Sequence, residues 1–435
     1  MLHLLITVLA LAQNPPAVVP QAKAALDHLI AGEAERVEAQ FTDQMKTALP
    51  PGRLAAAWSS VLERAGALKG CDAQERVVAI ATKQMVIRTC TFERGKIDVQ
   101  FAFDEQGKIS GLNFRPSGVA PPAYSLPSYA TASAYAESAI TIGSGDWTLP
   151  GTLTLPTGDA SVPAVILVHG SGPNDRDETI GGNKPFKDLA LGLASRGVAV
   201  LRYDKRTKAY PGKVTTIQDF TVRHEVIEDV SEAVKVLHAH PRIDRRRIFV
   251  LGHSLGGLLI PRIAAANRGV AGFIVMAGPA RPVEEAIVAQ TRYIISADGT
   301  ITADEQKVLD DALALAASVR ALGPSDLAEN RVLRGAPASY WLDLRGYDGP
   351  TAAKSVTAPM LILQGERDYQ VTVEEFERWK AALDTRTNVT FHRYPALNHL
   401  FIAGTGPSLP DEYQVPGHVA ADVIRDVAAW ILAVR

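Results

Sequence analysis

Cysteine is scarce in this sequence: Cys71 and Cys90 are the only two among 435 residues. With no histidine close to either, they are too few to form a zinc site, which takes three or four ligands. An excess of charge is missing too. The 45 Lys and Arg against 47 Asp and Glu leave a formal net charge of −2, which argues against nucleic acid or an acidic polymer as partner. The densest basic run, "RIDRRRI" at 242–248, lies between a helical and a strand pattern and reads as a solvated turn. No apolar run reaches the roughly 20 residues that span a bilayer. Nowhere do His, Asp, Glu and Cys cluster as ligand sets do, so no metal or other cofactor is expected.

The chain is longer than one ordinary domain, and two are expected. "MLHLLITVLALAQNPP" pairs a short apolar stretch with an Ala10-Leu11-Ala12 cleavage pattern. Residues 1–12 therefore read as a signal peptide, although the segment before the apolar stretch carries His3 and no Lys or Arg. A buried N-terminal helix would be followed by more helix than "QNPPAVVP" allows. The expected location is secreted or periplasmic. In that compartment Cys71 and Cys90 are candidates for a disulfide, with two separate buried thiols as the alternative. Residues 20–66 carry apolar side chains at helical spacing, and Leu68–Phe114 alternate apolar and polar residues, broken at Arg94-Gly95 and Gln106-Gly107. This predicts a small α+β domain over 20–115, with no catalytic set of its own, and a Pro/Ser/Ala-rich linker over 116–135.

From 136 to 435 the pattern changes. After an antiparallel pair in "SAITIGSGDWTLPGTLTLP" come the apolar runs "PAVILVHG", "GVAVLRYD", "RIFVLGHS", "GFIVMAG", "PMLILQGE" and "VTFHRYP", separated by helical segments. Such runs are strands buried on both faces, so an α/β fold with a mostly parallel sheet is expected. Functional groups in such sheets gather at the carboxyl ends of the strands.

"RIFVLGHSLGGLLIPRIAA" turns at once from strand to helix around Ser254, with Gly252 and Gly256 two positions either side. That is the G-x-S-x-G elbow: glycine is needed where neighbouring backbone excludes side chains, and the turn exposes the serine with a free N–H on Leu255. Serine needs a base, and the base an orienting carboxylate. Asp368 in "LILQGERDYQV" and His399 in "YPALNHLF" both follow strands; Glu366 and the strand-interior His392 are the competing acid and base. His253 reads as packing under the elbow. In "VILVHGSGPNDRDET" the N–H of Ser171 is the second candidate oxyanion donor beside that of Leu255. Asp175 and Arg176 read as support for this loop, and "RYDKR" at 202–206 as its pairing partner.

With "HGSGPNDRDE", "RYDKR", "GHSLGG", "QGERDYQV" and "NHLF" in this order, residues 136–435 resemble the α/β-hydrolase fold. The whole resembles bacterial two-domain serine esterases of the serine-aminopeptidase-like kind, whose small N-terminal domain has no known function. The resemblance implies hydrolysis of short-chain carboxylic esters through Ser254, His399 and Asp368 without a metal, on a small-molecule substrate. It departs from the pattern at "DKRTKAYPG", where relatives continue Asp-Lys-Arg-Gly, so a different rim is expected there. An insertion of helical pattern at 281–355 stands where such folds place a lid, with Tyr293, Tyr340 and Trp341 as candidate lining residues or, equally, packing. An aminopeptidase or amidase with the same triad would need carboxylates for a substrate amine, and Glu284-Glu285 is the one tempting pair. A non-catalytic binding module would be expected to lack a triad member, and none is missing.

Overall fold

The structure is a computed structural model that describes residues 18–49, 51–80, 83–117 and 124–434; the expected signal peptide lies outside them. The chain divides into two units, 1–120 and 121–435.

In the first unit, the helices Val18–Ile30, Ala34–Glu38, Asp43–Ala48 and Arg53–Ala65 precede five antiparallel strands. Ala22, Ala25, Leu26 and Leu29 recur at helical spacing and are buried with Phe41, Trp58, Phe92 and Phe101 in one core. Cys71 and Cys90 face each other on neighbouring strands and are disulfide-bonded.

The second unit is built on eight strands: β1 (Tyr135–Ile142), β2 (Leu149–Pro156), β3 (Val162–Val168), β4 (Ala199–Tyr203), β5 (Ile243–His253), β6 (Gly272–Met276), β7 (Met360–Gly365) and β8 (Val389–Tyr394). Their spatial order is β8-β7-β6-β5-β3-β4-β2-β1. The strands from β3 to β8 are parallel, whereas β1 and β2 pair antiparallel. Alternation along β5 shows why the runs are continuous: Ile248 and Val250 enter the core on one face, Phe249 and Leu251 the core on the other. The helices Glu228–Ala239 and Val373–Leu383 close the first face, and Pro185–Ala194 and Ala421–Ala433 the second.

One detail differs from the sequence reading. "RIDRRRI" is the irregular start of β5 rather than a turn: Ile243 pairs with Val162 and is buried, and Arg245 and Arg246 project outward at the break in register before Ile248. Within the segment expected as a linker, Tyr124 donates to Asp188 at 2.7 Å and Tyr129 packs on the second unit's core. Residues 281–355 form helices, including Val283–Ile295, Ala303–Ala321 and Ala338–Leu344, and of the two expectations for Trp341 it is packing that the burial among Val319, Leu322 and Ala338 matches.

Candidate active site

The order of strands decides which loops meet. β5 and β3 are neighbours, as are β7 and β8, so the turns after them stand side by side at the carboxyl end of the sheet. Ser254 follows β5 directly with φ +51°, in the left-handed region that non-glycine residues seldom occupy. Its N–H donates to Met276 O at 2.9 Å, which ties the elbow to β6. The flanking glycines are required: a Cβ on Gly252 would lie 2.2 Å from Gly256 O, and one on Gly256 2.5 Å from Val168 O. The turn after β3 crosses the serine closely, since a Cβ on Gly170 would stand 3.1 Å from Ser254 Cβ and 3.6 Å from its Oγ. No hydrogen bond among the described residues engages the N–H of Leu255 or of Ser171.

His399 Nδ1 donates to Asp368 Oδ2 at 2.7 Å, and both residues are buried. Asp368 is held from three sides: Oδ1 accepts the N–H groups of Gln370 and Val371 at 2.8 and 2.9 Å, and Oδ2 the amide of Gln364 at 3.3 Å. Asn398 shapes the histidine loop by accepting from the N–H of Leu400 and Ile402. The competing pair is elsewhere. Glu366 is exposed against Arg393, and His392 stacks on Tyr394 with Asp426 3.7 Å away. His169 is no alternative base: burial, with Lys205 nearby, pushes its imidazole down to about 4.

His253 lies between these parts. Its ring centroid is 4.7 Å from that of His399, its Nε2 donates to His399 O at 3.0 Å, and its Nδ1 faces Glu178 Oε2 at 2.9 Å. Burial alone would lower its pKa, but Glu178 outweighs burial and holds it above the ordinary 6.5. With the Glu178 carboxylate beside Nδ1 and the His399 carbonyl at Nε2, the surroundings favour the protonated ring over the neutral one. Burial likewise works against the Glu178 carboxylate, and the charge of His253, 2.9 Å away, keeps it below the ordinary 4.5. Glu178 Oε1 also accepts the Gly170 N–H at 2.7 Å. This buried pair, with Glu178 itself at φ +51°, joins the loop after β3 to the histidine loop.

The pairing expected of "NDRDE" and "RYDKR" is present. Arg176 makes a two-pronged contact with Asp204 at 3.0 and 2.9 Å, Arg202 bonds Asp177, and Asp175 Oδ1 accepts the N–H of Asp177 and Thr179. Sequence reasoning missed Glu178, Lys205, Gln364 and Asn398 as individual residues. All four stand inside the quoted motifs, but only contacts between motifs single them out.

Of the other candidates, Tyr293 stacks on Tyr369, next to Asp368, with centroids 5.4 Å apart. Tyr340 donates to Glu225 at 2.7 Å. Glu284 is buried while Glu285 is exposed. Among the described residues no group of His, Cys, Asp and Glu is placed to hold a metal ion.

The chain is 38% identical over 407 residues to esterase EstD of Thermotoga maritima, covering 94% of this chain and 93% of that protein. Among solved structures, an esterase of Pyrococcus furiosus is 18% identical and covers 68% of this chain and 92% of its own, with a TM-score of 0.41. Est1E of Butyrivibrio proteoclasticus is 17% identical and covers 68% and 99%, with a TM-score of 0.42. Residues 22–112 match a family described as a protein of unknown function, DUF3887. Residues 165–413 match the alpha/beta hydrolase family, and the chain belongs to that family.

Proposed function

We propose that this hydrolase is a serine carboxylesterase acting on short-chain esters, with Ser254, His399 and Asp368 as its triad. The observation that carries the reading is the buried 2.7 Å contact of His399 Nδ1 with Asp368 at the same sheet end as the elbow serine. With Nδ1–H committed to the carboxylate, Nε2 is the free base. Ser254 Oγ attacks the ester carbonyl as its proton passes to His399 Nε2, and the carbonyl oxygen becomes an oxyanion facing the N–H of Leu255 and Ser171. Collapse breaks the bond to the alkoxy oxygen, which takes the proton from His399 and leaves an acyl-serine. Water then repeats the sequence and releases the acid. Likeness to EstD supports ester over amide substrates.

The test is turnover of p-nitrophenyl esters and aminoacyl anilides of graded length by the wild type and Ser254→Ala. Esters of short acids should be cleaved fastest, and Ser254→Ala should lose both turnover and labelling by a fluorophosphonate. Anilides cleaved faster than esters would point to an amidase, and an active Ser254→Ala would remove the serine from the mechanism. Two further readings belong here. The disulfide supports export, to be checked by intact mass of secreted protein beginning at Gln13. The insertion at 281–355 serves as a lid, through which Tyr293 meets the substrate.

A further inference from the structure

The serine mechanism leaves unexplained a lysine buried beside it. Lys205 is 2% exposed, yet its Nζ donates to Gly170 O at 2.8 Å and pairs with Glu225 Oε1 at 3.0 Å. Glu225 is itself 5% exposed and occupies a π-helical turn, Arg223–Ile227, at the head of the helix Glu228–Ala239. Its other oxygen accepts the hydroxyl of Tyr340, which comes from the insertion. Burying a lysine and a glutamate is costly, and π-turns are frequent at functional sites. An arrangement this costly calls for a role.

The peptide plane supplies one. The Gly170–Ser171 peptide is trans and planar, so the N–H of Ser171 points opposite to the C=O of Gly170. Whatever fixes that carbonyl fixes the amide. Lys205 holds the carbonyl, with Asn174 Nδ2 as a second donor at 3.2 Å, while Glu178 holds the N–H of the preceding peptide. The Gly170 amide is thereby unavailable, and the Ser171 amide is left free and aimed. The ammonium also draws electron density through the peptide, which makes the Ser171 N–H a stronger donor. We propose that Lys205 is a positioning residue that sets the oxyanion donor Ser171 through the Gly170 carbonyl, and that Glu225 and Tyr340 connect this setting to the insertion. The inference rests on the serine-esterase reading above.

The test compares p-nitrophenyl acetate with its thiono analogue, whose sulfur accepts a poorer hydrogen bond from the oxyanion donors, in wild type, Lys205→Met, Tyr340→Phe and Ser254→Ala. In Lys205→Met, kcat for the oxygen ester should fall by about 10–100-fold, KM should stay within about twofold, and the preference for oxygen over sulfur should shrink by about tenfold. Tyr340→Phe, which removes only the hydroxyl bonded to Glu225, should move the preference the same way by about threefold. A structural role would lower the rate on both esters alike. An unchanged oxygen-to-sulfur preference overturns the proposal, and if Lys205→Met does not fold, Tyr340→Phe alone decides by the same criterion. With Ser254→Ala inactive, that result strikes only the role of Lys205. An active Ser254→Ala overturns the esterase mechanism and this inference with it.

Discussion

At the scale of single residues, the site depends on pairs whose members are useless apart. Asp368→Asn would keep the shape of the acid but favour the wrong tautomer of His399, so turnover should fall by about 10⁴-fold with little change in melting temperature. Glu366→Gln, on an exposed residue paired with Arg393, should stay within about twofold of wild type; the reverse ranking in steady-state kinetics would reassign the acid. The Glu178–His253 pair predicts a pH signature. A raised imidazole contributes fully below its ordinary 6.5 and loses that contribution as pH rises through its raised value. A depressed carboxyl contributes fully above its ordinary 4.5 and loses it as pH falls through its depressed value. The pair therefore supports the fold most between 4.5 and 6.5. Glu178→Gln should cost about 3–5 kcal/mol there, and the gap in melting temperature should narrow on the alkaline side. A gap constant with pH would show that His253 is neutral in the fold.

At the scale of elements, the elbow is a packing problem before it is a catalytic one. Gly252→Ala forces a methyl to within 2.2 Å of Gly256 O, which neither β5 nor the following turn can yield, so it should destabilise by about 1–3 kcal/mol or more in thermal denaturation. This need was legible in the G-x-S-x-G spacing, because backbone crowding leaves a mark on sequence. The parallel strands were legible for a similar reason: burial on both faces demands continuous apolar runs. The start of β5 was not, since Arg245 and Arg246 obscure the pairing of Ile243 with Val162. Trp341 was ambiguous because an apolar face at helical spacing does not say which neighbour it meets. In the N-terminal sheet, opening the Cys71–Cys90 bridge, 19 residues apart, should lower stability by about 3 kcal/mol. Melting of the Cys71→Ala/Cys90→Ala double variant measures this.

At the scale of the whole molecule, two units invite separation, and the structure says where to cut. A chain beginning at Ala130 loses the Tyr124 hydroxyl on Asp188 and the Tyr129 ring against Gly192. One beginning at Pro121 keeps both. The longer form should retain ester hydrolysis, and the shorter one should melt lower by the worth of a buried charge-assisted hydrogen bond, about 1.5–3 kcal/mol, plus lost packing. A folded Pro121 form without turnover would show that residues 1–120 supply something the chemistry needs.

The sequence by itself determined the class of fold, the order of its strands along the chain, the elbow serine and the short set of candidates for acid and base, because each depends on local periodicity or on a turn with few solutions. Only the tertiary structure decided that Asp368 rather than Glu366 meets His399. The same holds for His253, paired with Glu178, and for Lys205, which fixes the peptide before Ser171. Those contacts join the end of β5 and the segments after β3, β4, β7 and β8, far apart in the chain, and a charge records its partner only when folding brings the two together.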